Sequence, residues 1–169
     1  MWNDTDLPLA YLITVRCRGT WLHGDERGSV DRFRNVYGSA RIPSNEKWHE
    51  HNAKNLVGGP VYLNAVRRRA VAEAVNDTCT KRNWHLHAQN VRTNHFHAVV
   101  SAGTIAASSV LHALKANATR QLRQSGCWEF PYSPWVDRGS KRFLWNEQSI
   151  ANAAEYVING QGDELPDFL

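Results

Sequence analysis

Apolar residues along the chain fall into short runs and helical repeats separated by polar stretches. AYLITVRCR, residues 10–18, gathers β-branched and aromatic residues into one short run and predicts a first strand. From His23 to about Gly59 the chain is polar, rich in Gly, Asn, Arg and charge, with no sustained apolar period, which predicts a long excursion over the surface. Pro60 then opens a segment in which Val61, Ala65, Val66, Ala70, Val71, Ala74 and Val75 recur at helical spacing, a first helix with Arg67 to Arg69 mostly exposed. HLHAQNV and HFHAVVSA, separated by Arg92, Thr93 and Asn94, have the layout of two strands in a hairpin. After serines able to cap, Val110, Leu111, Leu114, Ala118 and Leu122 mark a second helix that stops at Gly126. The stretch from Trp128 to Trp145 is turn-rich, with a short hairpin expected to turn at Asp137 to Ser140, and a third helix runs from Glu147 to about Asn159.

Strand, helix, strand, strand, helix, strand and a last helix make a split βαβ arrangement, an α+β ferredoxin-like plan. It calls for one antiparallel sheet with helices on one face, plus a C-terminal helix that carries Tyr156. The 169 residues suit a single domain spanning 1–169. Lys and Arg number 20 against 16 Asp and Glu, a net charge of +4, and this excess suits a polyanionic partner. Cys17, Cys79 and Cys127 are odd in number and form no CxxC pair, so neither a disulfide framework nor a cysteine zinc site is indicated, and a reducing cytoplasm fits. No window approaches the roughly 18 apolar residues of a membrane span, so no membrane partner is expected.

His-x-His occurs three times, at His49 and His51, His85 and His87, and His95 and His97. On a strand, residues two apart point the same way, so a pair can offer two nitrogens to one metal only there. His49 and His51 sit in the polar excursion and read as solvated loop residues. His85 and His87 lie on a predicted strand, where packing or exposure competes with ligation. Around His95 and His97 the intervening Phe96 turns to the core and Asn94 stands at the turn, which favours this pair as ligands. Tyr156 falls beside the buried stripe Ile150, Ala153, Ala154 and Val157 of its helix, half exposed, a position that taken alone more often holds an edge-packing residue than a nucleophile.

TNHFHAVV followed some sixty residues later by helical EYVINGQ resembles the single-tyrosine HUH transposases of the IS200-like and REP-associated tyrosine transposase group. The likeness runs from AYLITVRCRG through LHALKANATRQLR to EYVINGQG. It implies that His95 and His97 hold a divalent metal, Mg²⁺ or Mn²⁺, and that Tyr156 attacks single-stranded DNA to leave a 5′-phosphotyrosine. A polar residue on the tyrosine helix completes the metal site in that family, usually four residues after the tyrosine. That position is Gly160 here, so the ligand is Gln161 or Asn159. An ideal helix favours Asn159, whereas a helix that ends at Gly160 brings Gln161 back.

The implied substrate is single-stranded or hairpin DNA, which needs cations along a groove. Arg92 beside the histidines, Lys115, Arg120 and Arg123 on the second helix, and Arg138, Lys141 and Arg142 in the turn-rich segment are the candidates. Of the seven tryptophans, Trp21, Trp84, Trp128, Trp135 and Trp145 flank predicted elements, which suits core positions better than a stacking platform. Members of the family act as homodimers or monomers, and both remain open. Two functions compete: a metal-dependent endonuclease and strand transferase, or a catalytically weak, domesticated relative that binds DNA hairpins or repeats, kept alive by Gly160 at the usual ligand position.

Overall fold

A computed structural model describes residues 6–20, 40–56 and 58–166. Its strands are β1 (Ala10–Arg16), β2 (His85–Val91), β3 (His95–Ser101) and β4 (Ser140–Leu144); its helices are α1 (Glu46–Asn55), α2 (Ala65–Lys81), α3 (Ala107–Gln124) and α4 (Glu147–Asn159). The sheet order is β2-β3-β1-β4 and each neighbouring pair is antiparallel. With α1 set aside, the sequence β1-α2-β2-β3-α3-β4 in that order is the expected ferredoxin-like plan.

Alternation along β1 and β3 sorts the two faces. Tyr11, Ile13 and Val15, with Phe96, Ala98 and Val100, pack against Val71 and Val75 of α2 and Val110, Leu114 and Leu122 of α3. Ala10, Leu12 and Val99 point the other way and meet Ala153 and Val157 of α4. Burying each of these larger apolar side chains contributes about 1.5–3 kcal/mol. The helices are therefore not confined to one face: α4 covers the second, and that placement carries Tyr156 to the histidine side.

Several expectations are corrected. Part of the polar excursion, residues 46–55, is helical: Asn45 caps α1 by accepting from Trp48 N, and the helix buries nothing, which is why no apolar period betrayed it. Of that excursion, residues 23–39 and 57 lie outside the described residues. Pro60 does not open α2. Val61 N donates to Arg18 O and Leu63 N to Thr93 O, so this stretch is extended, and α2 starts after Asn64, whose side chain accepts from Arg67 N. The serines at 108 and 109 lie inside α3, whose cap, Ala106, makes no side-chain bond. Arg68 is buried, donating to Leu63 O and Pro166 O at 3.1 and 2.6 Å. The hairpin expected around 137–140 is absent among the described residues, because β4 pairs with β1 and Trp135 bridges to Cys17.

Candidate active site

His95 and His97 share one face of β3, and their rings stand 4.7 Å apart. Phe96 between them is fully buried, its ring edge-on to Trp135 at 5.3 Å. In the register, Thr14 of β1 lies opposite His97 and Arg16 opposite His95. Thr14 Oγ1 is 2.8 Å from His97 Nδ1, and Asn94 Oδ1 is 2.7 Å from His95 Nδ1. Both Nδ1 atoms are thus occupied by neighbours, and both Nε2 atoms face outward from β3.

Both meet one atom. Gln161 Oε1 lies 3.1 Å from His95 Nε2 and 3.1 Å from His97 Nε2. Its orientation is held by its own amide nitrogen, which donates to Tyr156 O at 3.2 Å. Gly160 makes this possible: its amide donates to the same carbonyl at 2.9 Å, and a Cβ there would lie 2.7 Å from Tyr156 O and 3.0 Å from the Tyr156 ring. The chain therefore closes over Tyr156 only with glycine at 160, and the next residue lands on the histidines. Asn159 instead donates to Glu155 Oε1 on the exposed side of α4. Asn90 donates to Val157 O, pinning the last turn of α4 to β2. Tyr156 is 50% exposed, with its ring 5.7 Å from that of His97.

Protonation follows from these contacts. Asn94 Oδ1 can only accept, so the proton of a neutral His95 sits on Nδ1, and its Nε2 lone pair faces the Gln161 oxygen. Two acceptors at 3.1 Å repel unless something positive lies between them. A proton is disfavoured: burial lowers the His95 pKa, the Gln161 bond opposes, and Arg16 and Arg92 add to the lowering. Burial pushes His97 down to about 4, with His95 and Arg16 contributing and the Gln161 bond opposing. His95 Nε2, His97 Nε2 and Gln161 Oε1 are the atoms that could hold a cation. Among the described residues no three His, Cys, Asp or Glu side chains come together to hold a metal ion, and the third atom meeting these histidines is an amide oxygen.

The other histidine pairs are arranged differently. His49 and His51 sit on α1, where residues two apart diverge by about 200°, and His51 bonds Asn55. His85 and His87 lie on β2, at the far end of the sheet from His95 and beside an irregularity between Leu86 and Ala88. Ser101 Oγ donates to Leu9 O and so accepts from His87 Nε2, which gives that ring a structural partner.

The cationic candidates are not gathered at one place. Arg92 stands at the histidine end and donates to Asp163 O. Arg142 pairs with Leu12, on the face of α4, whereas Lys141 pairs with Ile13, on the face of α2 and α3. Lys115 donates to Val136 O and Asp137 O at 2.6 and 3.0 Å, tying α3 to the loop before β4. Arg120 and Arg123 are exposed on α3, behind the sheet, and Arg138 is exposed in the loop. Sequence reasoning missed Thr14 and Arg16. Their signal was the polar phase of β1, where apolar Tyr11, Ile13 and Val15 alternate with Leu12, Thr14 and Arg16.

A family model described as transposase, IS200 like, matches residues 61–153, more than half of the chain. The match includes His95 and His97 and ends three residues before Tyr156. Comparison with curated proteins returns no match. Among solved structures, a REP-associated tyrosine transposase bound to a REP hairpin is similar at 12% identity and a TM-score of 0.49, over 93% of this chain and 69% of that one. A candidate transposase from Deinococcus radiodurans R1 is similar at 12% identity and a TM-score of 0.47, over 96% of this chain and 98% of that one. On the extent of the family match, the chain belongs to the IS200-like transposase family.

Proposed function

We propose that this transposase-family protein cleaves and rejoins single-stranded DNA at hairpin or repeat-flanked sites. In this reading Tyr156 is the nucleophile, and His95, His97 and Gln161 hold Mg²⁺ or Mn²⁺. The observation that carries it is the convergence of two imidazole nitrogens and one amide oxygen on a single point, beside a half-exposed tyrosine. Two lone pairs facing each other at His95 and Gln161, where a proton is disfavoured, fit a divalent cation. With the cation on both Nε2 atoms each ring must carry its proton on Nδ1, and Asn94 Oδ1 and Thr14 Oγ1 stand where those protons need acceptors. Imidazole and amide donors with positions left open to substrate suit Mn²⁺ and tolerate Mg²⁺.

When bound, the cation would neutralise a nonbridging phosphate oxygen and fix the phosphorus for in-line attack. The chain's own residues supply the rest. Tyrosine is a weak nucleophile, and the Tyr156 hydroxyl proton passes to water as its Oη attacks. As Tyr156 Oη bonds phosphorus, the bond to the 3′ oxygen breaks and that oxygen takes a proton from water. A 5′-phosphotyrosine and a free 3′-OH result. Because the phosphotyrosine keeps the bond energy, an incoming 3′-OH can displace Tyr156 and rejoin DNA without ATP.

The competing reading, a relative that binds hairpins without turnover, drew on Gly160 at the usual ligand position. With Gln161 brought onto both histidines, no observation favours it. The test is incubation of the wild type and Tyr156→Phe with labelled hairpin DNA from the flanks of the gene, with Mn²⁺ or EDTA, and a denaturing gel. A covalent adduct that needs Mn²⁺ and vanishes in Tyr156→Phe is expected. An adduct that persists in Tyr156→Phe, or hairpin binding without any adduct, would overturn the proposal.

A further inference from the structure

The loop between α3 and β4 holds four aromatic residues that the proposed chemistry does not use. Trp128 is buried, and its indole donates to Tyr132 O at 2.9 Å, closing the loop on itself. Trp135 is buried too, donating to Thr119 Oγ1 at 3.0 Å, while Arg18 N donates to Pro134 O and Val136 N to Arg16 O. The segment is therefore tied to α3 and to the end of β1.

On this anchored base, Phe130 lies nearly parallel to Tyr132, with ring centroids 5.3 Å apart and planes 20° from parallel. Trp128 meets both rings edge-on, at 4.9 and 5.6 Å. Phe130 nevertheless stays 47% exposed. The Arg18 guanidinium rests 4.7 Å from the Tyr132 ring centre, so a cation flanks the aromatic stack. Phe130 is not among the buried core residues, and a half-exposed ring on a rigid stack next to a cation is the chemistry that receives a nucleobase with its phosphate.

Backbone bonds tie the base of this loop to the end of the sheet where β3 begins. Cys17, next to Arg18, donates its amide to Asn94 O, and Asn94 is the residue that orients His95. Trp135, in the same loop, packs on Phe96 in the core, on the face of β3 opposite the histidines. We propose that Phe130, backed by Tyr132 and flanked by Arg18, is a stacking platform for an unpaired base of single-stranded DNA lying beside the cleavage site. This inference rests on the proposed function and names a contact that reading does not contain.

The experiment is fluorescence anisotropy with the full chain in EDTA and a labelled oligothymidylate of about 15 nucleotides, within the span of common single-strand sites. Binding is read without metal or turnover, which separates the platform from catalysis. Phe130→Ala is expected to weaken binding about tenfold, in line with base–aromatic stacking. Phe130→Leu, which keeps apolar bulk but has no π face, should be as weak, and Phe130→Trp should bind at least as tightly as wild type. If Ala does not fold, the comparison of Leu with Trp carries the test. Wild-type affinity in the Ala or Leu variant would overturn the platform alone. Absence of any single-strand binding by the wild type would overturn the platform and the proposed function together. Phe130-dependent binding without a Tyr156 adduct would keep the platform and remove the catalytic reading.

Discussion

Alanine at position 160 would put a methyl carbon 2.7 Å from Tyr156 O, 3.0 Å from Cδ2 and 3.2 Å from Cα of the same residue. A comfortable carbon-to-carbonyl-oxygen contact is about 3.3 Å or longer, so the chain must give by roughly half an ångström. The carbonyl has little freedom, since it already accepts from Gly160 N and from Gln161 Nε2. The movement therefore falls on residues 160 and 161, and it pulls Gln161 Oε1 from its place 3.1 Å from each histidine. Functional groups must hold position within about 0.5 Å, and loss of that support costs about 10–100-fold in metal affinity or activity. Backbone preference acts in the opposite direction, because alanine at the end of α4 is favoured over glycine by up to about 1 kcal/mol. Gly160→Ala should therefore bind Mn²⁺ about 10–100-fold more weakly at nearly unchanged thermal stability. Calorimetric titration of metal-free protein, with Gln161→Ala as reference, measures this. Wild-type Mn²⁺ affinity in Gly160→Ala, alongside weak binding in Gln161→Ala, would refute the claim that glycine delivers the ligand.

Thr14→Val removes the partner of His97 Nδ1 while preserving shape, and should lower the Mn²⁺-dependent adduct rate by about 10–100-fold; an unchanged rate would show that His97 needs no orienting partner. In EDTA, stability should fall with acidification. The folded state holds His97 near 4 while the unfolded chain titrates at its ordinary 6.5, so protons bind preferentially to the unfolded state between those values. The stability lost for this 5%-exposed ring is up to about 3 kcal/mol. Urea midpoints at pH 7 and pH 4.5, compared with those of His97→Gln, check this, and an equal drop in both proteins would assign it to other groups. Burial raises the Cys17 thiol to about 12 and the Cys79 thiol to about 11, and both side chains are buried, whereas Cys127 is partly exposed. A disulfide reagent at pH 8 should accordingly modify one thiol in the native protein and three in urea.

Much of this protein was legible in the sequence because its apolar periods are short-range signals. β1, β2, β3, α3 and α4 announce themselves through alternation or helical repeats, and their order gives the ferredoxin-like plan. Phe96 between two histidines likewise states which side of β3 is core. What the sequence could not show depends on contacts far apart in the chain. α1 buries no side chain, so no periodicity marks it. β4 is expected as an arm of a local hairpin, yet its partner is β1, at the far end of the chain. Val61 and Leu63 carry a helical spacing, yet bonds to Arg18 and Thr93 hold them extended. Lys115 looks like a free cation until the loop before β4 closes on it. At the site, the sequence leaned to Gln161 as the third donor on its YVxxxQ spacing and kept Asn159 as the alternative, because an ideal helix would continue to turn. The tertiary structure brings the Gln161 amide oxygen, and not Asn159, to the two histidines: α4 ends where Gly160 folds tightly over Tyr156, and a glycine's missing side chain is what lets that contact form.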